Sequence, residues 1–203
     1  MKINYSKIPF QKTLKATCKV KGVNDKVRDA KIYRLDDIQN DLNEFIRAND
    51  SANWQGNMYL EEMYLIFKNL YHEEYDVFDF YVMENEKKEP ICFAMTDKMH
   101  KGSDCLEYIE VAPRFSKDNK NNRKMKYVGE TMMSFLINVA KKRGLDFRIT
   151  DIAPRQEAVD FYDKQLGFEV DELESSGFMP KENFDDLILK NQKHTGHKIM
   201  FKA

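Results

Sequence analysis

The sequence predicts an α+β (mixed α/β) fold, and three observations carry that prediction. Apolar, strand-like runs at 77–84, 91–96 and 105–112 follow one another across short polar turns, as in an antiparallel meander. From 126 to 143 the apolar spacing switches to helical period, and short strand and helix patterns alternate after it, giving a β-α-β-α-β ending. Ahead of the meander, two alternating runs flank a turn and read as an additional N-terminal strand pair.

In chain order, Thr13–Val20 and Ala30–Leu35 are the strand pair, with Gly22-Val23-Asn24-Asp25 as its turn. Asp36-Asp37 opens a helix, with Ile38, Leu42, Phe45 and Ile46 on one face and acids in the first turn. A loop with Trp54 and Gly56 leads to a second helix over roughly 58–72, striped by Tyr59, Met63, Ile66, Phe67 and Leu70. The meander ends at Pro113, and Arg114–Met125 is a polar, basic loop. Over Lys126–Arg143, Val128, Met132, Phe135, Leu136 and Val139 line a helix face, and Gly144 stands where a left-handed C-terminal cap belongs. Phe147–Ile152 reads as a strand, Gln156–Gln165 as a short helix before Gly167, Phe168–Val170 as the start of a strand, and His197–Lys202 as the last one. No element is assigned between Val170 and His197, and no repeat or linker interrupts the chain.

Composition bounds the function. The chain's 203 residues suit one domain, and at this size about 70% of the unfolded surface is buried without staples. With 33 Lys+Arg against 34 Asp+Glu, no global charge draws it to nucleic acid or to an anionic membrane. Cys18, Cys92 and Cys105 form neither a disulfide framework nor a zinc motif, so a reduced, cytoplasmic setting is expected. His194-x-x-His197 has no cysteine or His-Glu-x-x-His context, and no metal is expected. MKINYSKIPF lacks the apolar core of a signal peptide, and runs such as Ile91–Met95 are too short to span a bilayer.

The informative stretch is Cys105–Val170. A strand, LEYIEVAP, leads to a helix opening Lys126-Tyr127-Val128-Gly129-Glu130-Thr131. Glycine in a first helical turn lets an anion approach free N–H groups at the positive end of the dipole, although it also serves simple close packing. A further strand precedes AVDFYDKQLGF, which puts Tyr162 on a short helix and Gly167-Phe168 at a strand entry. This combination resembles the GNAT superfamily of acetyl-CoA-dependent N-acetyltransferases. The likeness rests on the strand ending Val111-x-Pro113, the Gln/Arg-x-x-Gly-x-Gly/Ala type of phosphate loop, and the Ala-x-x-x-Tyr…Gly-Phe ending.

The resemblance implies a mostly antiparallel central sheet, splayed between two strands and flanked by helices. It implies a single domain: residues 1–30 as a strand extension, 31–104 as the acceptor side, and 105–203 as the acetyl-CoA-binding half. Acetyl-CoA is the implied co-substrate, and the partner is an amine acceptor, whether small molecule, peptide or protein. The backbone at Ile109 and Val111 would pair with the pantetheine arm, with the Val111 amide polarising the thioester. The loop at Lys126 and Tyr127 and the N–H groups of Val128, Gly129, Glu130 and Thr131 would cradle the pyrophosphate. Tyr162 matches the acid that protonates the departing thiolate. Glu107 and Glu110 are the candidate bases for the amine; strand parity puts them on opposite faces, Glu107 with Ile109 and Val111, and the family pattern favours Glu107 slightly.

This chain departs from the pattern in four places. Lys126 stands where Gln or Arg is usual, Thr131 replaces a small residue, and Arg155 replaces a frequent Asn. Between Pro113 and Lys126 lies a longer connection whose Lys117, Lys120, Arg123 and Lys124 are placed to flank CoA phosphates. On the acceptor side, Trp54, Tyr59, Tyr64 and Tyr71 with Glu61, Glu62, Glu73 and Glu74 suit a cationic amine, although acid-rich helix faces are commonly just solvated. Two other readings stay open: a GNAT-fold regulator that binds acyl-CoA or a partner without turnover, and a nucleic-acid-associated factor such as an acetyltransferase of charged tRNA. A homodimer bridged by the N-terminal strands is a further possibility. The neutrality conceals segregation: residues 1–34 carry a net +8 and residues 35–76 a net -8, blocks placed to pair with each other.

Overall fold

The computed structural model describes residues 12–22, 24–35, 78–97, 102–112, 125–152 and 156–202. Both helices expected between 36 and 72, Trp54 with its aromatic and acidic neighbours, most of the basic 114–125 connection including Lys124, and Arg155 lie outside the described residues.

Among the described residues, ten strands form one sheet: β1 (Lys12–Gly22), β2 (Val27–Leu35), β3 (Phe78–Asn85), β4 (Pro90–Asp97), β5 (Ser103–Val111), β6 (Met125–Lys126), β7 (Asp146–Ile149), β8 (Glu169–Asp171), β9 (Ser176–Met179) and β10 (Met200–Phe201). Their order is β10-β1-β2-β3-β4-β5-β7-β9-β8, with β6 also on β1. Every described ladder is antiparallel except β5 with β7. The N-terminal pair completes this sheet, because β2 pairs directly with β3 from Ala30↔Asn85 to Arg34↔Tyr81. The basic leader finds partners nearby: Lys12 with Glu84, Lys19 with Asp29, Arg28 with Glu86 and Arg34 with Asp79.

Helix α1 (Val128–Arg143) turns Met132, Met133, Phe135, Leu136, Ile137 and Ala140 into the core. Phe135 meets Tyr81 edge-on at 5.1 Å and stacks on Phe201 at 5.5 Å, so β10 is covered by the helix it borders. Gly144 ends α1 in the left-handed region at φ 73, behind Lys141, Lys142 and Arg143, which complement the negative end of the dipole. The expected start at Lys126 moves to Val128, because Met125 and Lys126 pair with Gly22 and Lys21 of β1. Helix α2 (Gln156–Asp160) continues as a π-turn through Phe161–Leu166, closed by Gly167 at φ 81.

Helix α3 (Phe184–Thr195) and β9 fall where no element was assigned. The buried positions of α3 are Phe184, Leu187, Asn191 and Thr195. Two of the four are polar, so hydropathy hides the stripe. The expected 197–202 strand shrinks to Met200–Phe201. Among the described residues, no helix is long and apolar enough to cross a membrane.

The far end of α1 is pinned by charge. Arg143 donates to both Asp104 oxygens at 2.9 and 3.1 Å and to Asp79 at 2.8 Å, while both carboxylates are 3% exposed. These bonds push the Arg143 guanidinium pKa up despite burial, which opposes the charge. Removing the cation takes its hydrogen bonds from two buried carboxylates, leaving Asp79 the longer 3.8 Å pair with Arg34, so Arg143→Met is expected to cost about 2–4 kcal/mol of unfolding free energy. Urea denaturation checks this, and a loss below about 1 kcal/mol would show the cluster to be dispensable.

Candidate functional site

The site begins where two parallel strands part. β5 and β7 pair from Ser103↔Asp146 to Leu106↔Ile149, and the Thr150 N–H reaches the Leu106 carbonyl at 3.3 Å. Beyond Leu106 no β7 register follows, while β5 continues against β4 to Cys92↔Val111. Register with β4 shifts at the same place: Met95 faces Tyr108 and Thr96 faces Leu106, leaving Glu107 as the extra residue of a bulge.

That bulge reverses which backbone groups face the opening. Below it, the Gly102 and Leu106 carbonyls accept from Asp146 and Thr150 on the β7 side. Above it, the Ala112 N–H donates to Ile91, so Ala112, Glu110 and Tyr108 take the β4-bonded positions of the alternating ladder. The N–H and C=O of Ile109 and Val111 therefore point away from β4, into the opening. An extended ligand laid there meets the strand as a sheet edge.

The bulge leaves Glu107 outside the β4 register, so strand alternation alone does not fix its face relative to Ile109 and Val111. Glu107 acts electrostatically on Cys105, whose thiol is pushed up to about 11, first by burial and then partly by Glu107. Tyr108 and Glu110 share the face away from α1, and Tyr108 Oη donates to Glu110 Oε2 at 3.4 Å. Burial pushes the Glu110 carboxyl up to about 7, with the Tyr108 hydrogen bond opposing. Glu110 therefore has the protonation range of a general base near neutrality.

Helix α1 brings its N-terminus to the end of β5. A Cβ on Gly129 would lie 3.3 Å from Val111 Cγ2 and 3.5 Å from Phe161 Cζ, so glycine serves close packing here, and through it β5, α1 and α2 converge. Tyr127 is left-handed at φ 62, ψ 19 and is followed by helical Val128, a turn that gathers successive N–H groups into one concavity. The first intrahelical bond runs from the Thr131 N–H to the Tyr127 carbonyl at 2.9 Å. Val128, Gly129 and Glu130 thus keep N–H groups that the helix does not use, and among the described residues no side chain caps them. These donors fit a pyrophosphate.

Two expected cradle members are placed otherwise, and a third keeps only its N–H there. The Thr131 N–H is spent on Tyr127, and its fully buried hydroxyl accepts from Asn191 Nδ2 at 3.0 Å. Lys126 Nζ bonds Asp25 Oδ1 at 3.1 Å, tying β6 to the β1–β2 turn. The Glu130 side chain turns inward, where His194 Nδ1 and Asn191 Nδ2 reach it. His194 and Asn191 carried no sequence signal, being about sixty residues from the loop they touch.

Tyr162 sits on the π-turn, 8% exposed, edge-on to Phe161 at 5.2 Å and to Phe168 at 6.0 Å. Among the described residues its hydroxyl makes no hydrogen bond. Burial raises its pKa, with Cys92 adding, so the phenol stays protonated at neutral pH. Cys92 pairs across from Val111, which places it with Tyr162 on the α1 side of the sheet. Among the described residues, no group of three or more His, Cys, Asp or Glu is placed to hold a metal.

Glu110 yields a prediction independent of any activity. Its folded pKa, near 7, lies above the usual carboxyl value, so its contribution to stability is present at low pH and lost as pH rises through 7. Glu110→Gln should therefore flatten the fall in melting temperature between pH 5 and pH 8; an unchanged slope would place Glu110 in water.

No family model and no curated protein matches this sequence. Solved structures do. A candidate acetyltransferase from Exiguobacterium sp. 255-15 superposes with a TM-score of 0.53 at 17% identity, covering 78% of this chain and 97% of that one. The dodecameric spermidine N-acetyltransferase from Vibrio cholerae, in an intermediate state, gives 0.50 at 12% identity, over 76% and 95% of the two chains. A variant of the same Vibrio cholerae enzyme, SpeG, matches equally. At these identities the likeness is one of architecture alone: the chain has a GNAT-like acetyltransferase fold.

Proposed function

We propose that this protein is an N-acetyltransferase that moves an acetyl group from acetyl-CoA to an amine by direct attack in a ternary complex. The observation that carries the reading is the convergence at Gly129, which packs the open N–H groups of α1 against both Val111 at the splayed edge and Phe161, the neighbour of Tyr162. Bound acetyl-CoA would supply an activated thioester. The N–H groups of Val128, Gly129 and Glu130 hold its pyrophosphate, and the Ile109 and Val111 backbone aligns its arm. The Val111 N–H polarises the acyl carbonyl. On the face away from α1, Glu110 takes the amine proton, directly or through water; on the α1 face, Tyr162 delivers a proton to the leaving sulfur.

Protonated amines are the acceptor class, and polyamines belong in the first panel because a structural neighbour is a spermidine N-acetyltransferase. Calorimetry with acetyl-CoA, followed by thiol release on amines, peptides and charged tRNA, tests the reading. Absence of binding at millimolar acetyl-CoA would overturn it. Binding without thiol release on any acceptor would instead support the regulator, which the diversion of Lys126 to Asp25 favours.

Two variants test the assigned roles. Tyr162→Phe is expected to lower kcat about 10²-fold while acetyl-CoA affinity stays within about twofold; undiminished kcat would remove Tyr162 as the acid. Since the base must be deprotonated, kcat/KM should rise with pH through about 7, and Glu110→Gln should abolish that limb. A limb that survives the substitution assigns the base elsewhere.

A further inference from the structure

The first turn of α1 contains an electrostatic conflict that the C-terminal helix resolves. Glu130 is its third residue, and a carboxylate there is drawn to the same N–H groups and dipole end that an incoming phosphate needs. An outward Glu130 would compete with the anion from within the chain. Instead its side chain is 7% exposed, with Oε1 and Oε2 at 2.9 and 3.0 Å from His194 Nδ1, and Oε1 at 3.2 Å from Asn191 Nδ2. A carboxylate only accepts, so the imidazole donates through Nδ1. Asn191 splits its amide between Glu130 and the Thr131 hydroxyl, clamping consecutive residues of the turn.

His194 makes a second contact with the same turn. Its ring stacks on Tyr127 at 4.6 Å with 16° between planes, and Tyr127 holds the left-handed conformation that aims the following N–H groups. A non-glycine residue adopts that conformation at a cost, which the stack helps offset. One side chain of α3 thus touches both the residue that shapes the cradle and the residue whose charge would fill it.

We propose that His194 and Asn191 are positioning residues for the anion cradle, holding Glu130 inward so that the first turn of α1 offers donors and no negative charge to the pyrophosphate of acetyl-CoA. This rests on the acetyl-CoA reading above. The readout is the ratio of kcat/KM for acetyl-CoA to that for S-acetylpantetheine, which carries the same thioester without the pyrophosphate, together with Kd for acetyl-CoA.

His194→Ala should weaken acetyl-CoA binding about tenfold and lower the ratio equally. Glu130→Gln added to His194→Ala should restore both to within about twofold, because the released side chain is then neutral. His194→Gln, which keeps a donor, should lie close to wild type. An unchanged ratio in a folded His194→Ala protein, or a double variant as weak as the single, would overturn the proposal and leave His194 a packing residue. A wild-type protein that binds no acetyl-CoA would overturn the underlying function as well, so the two failures are told apart by the unsubstituted chain.

Discussion

Two strands that run parallel from Ser103 and Asp146 stop sharing hydrogen bonds after Leu106 and Ile149, and the geometry of the site follows from that parting. A sheet that stayed closed would have spent the Ile109 and Val111 backbone on a neighbouring strand. The bulge at Glu107 does two things at one residue: it ends the β7 ladder, and it shifts the hydrogen-bonding phase so that odd-numbered residues face the opening. A single inserted residue thus converts part of an interior strand into an edge, at a depth where an ordinary edge would not occur.

Helix α1 makes the opening usable because it is fixed at both ends by different physics. Its C-terminus is locked by the Arg143 pairs to Asp104 on β5 and Asp79 on β3, two carboxylates whose burial the cation offsets. Its N-terminus is seated by shape, with Gly129 allowing backbone contact to Val111 and Phe161. Charge reappears there in subordinate form, through Glu130 and the side chains of α3. The register of the cradle against the splayed strand is therefore set over the full length of the helix, and acid and base candidates fall on opposite faces of the split sheet.

Much of this was legible in the residues. Alternation and turn chemistry located β1 to β5 to within a few positions, and helical period with Gly144 bounded α1 at its C-terminus. The sequence also marks Tyr162, Gly129, Val111, Glu107 and Glu110 as candidates for the site. What failed did so for identifiable reasons. Parity could not fix the face of Glu107, because a bulge leaves no mark in hydropathy. Helix α3 went unseen because Asn191 and Thr195 occupy half of its buried stripe. Thr131 and Lys126 matched a pattern by position, yet the backbone bond to Tyr127 and the ion pair with Asp25 take them elsewhere.

The division between the two levels is physical. Periodicity, capping and turn residues are local, so the chain itself determined its class, the order of β1 to β5 and α1, and the residue types that the candidate site offers. Which backbone groups face the opening, how far Glu110 is desolvated, and where Glu130 sends its charge depend on partners distant in sequence: β4 against β5, and α3 against α1. Only the tertiary structure decided those, because pairing register and burial are properties of the packed molecule and not of any one segment.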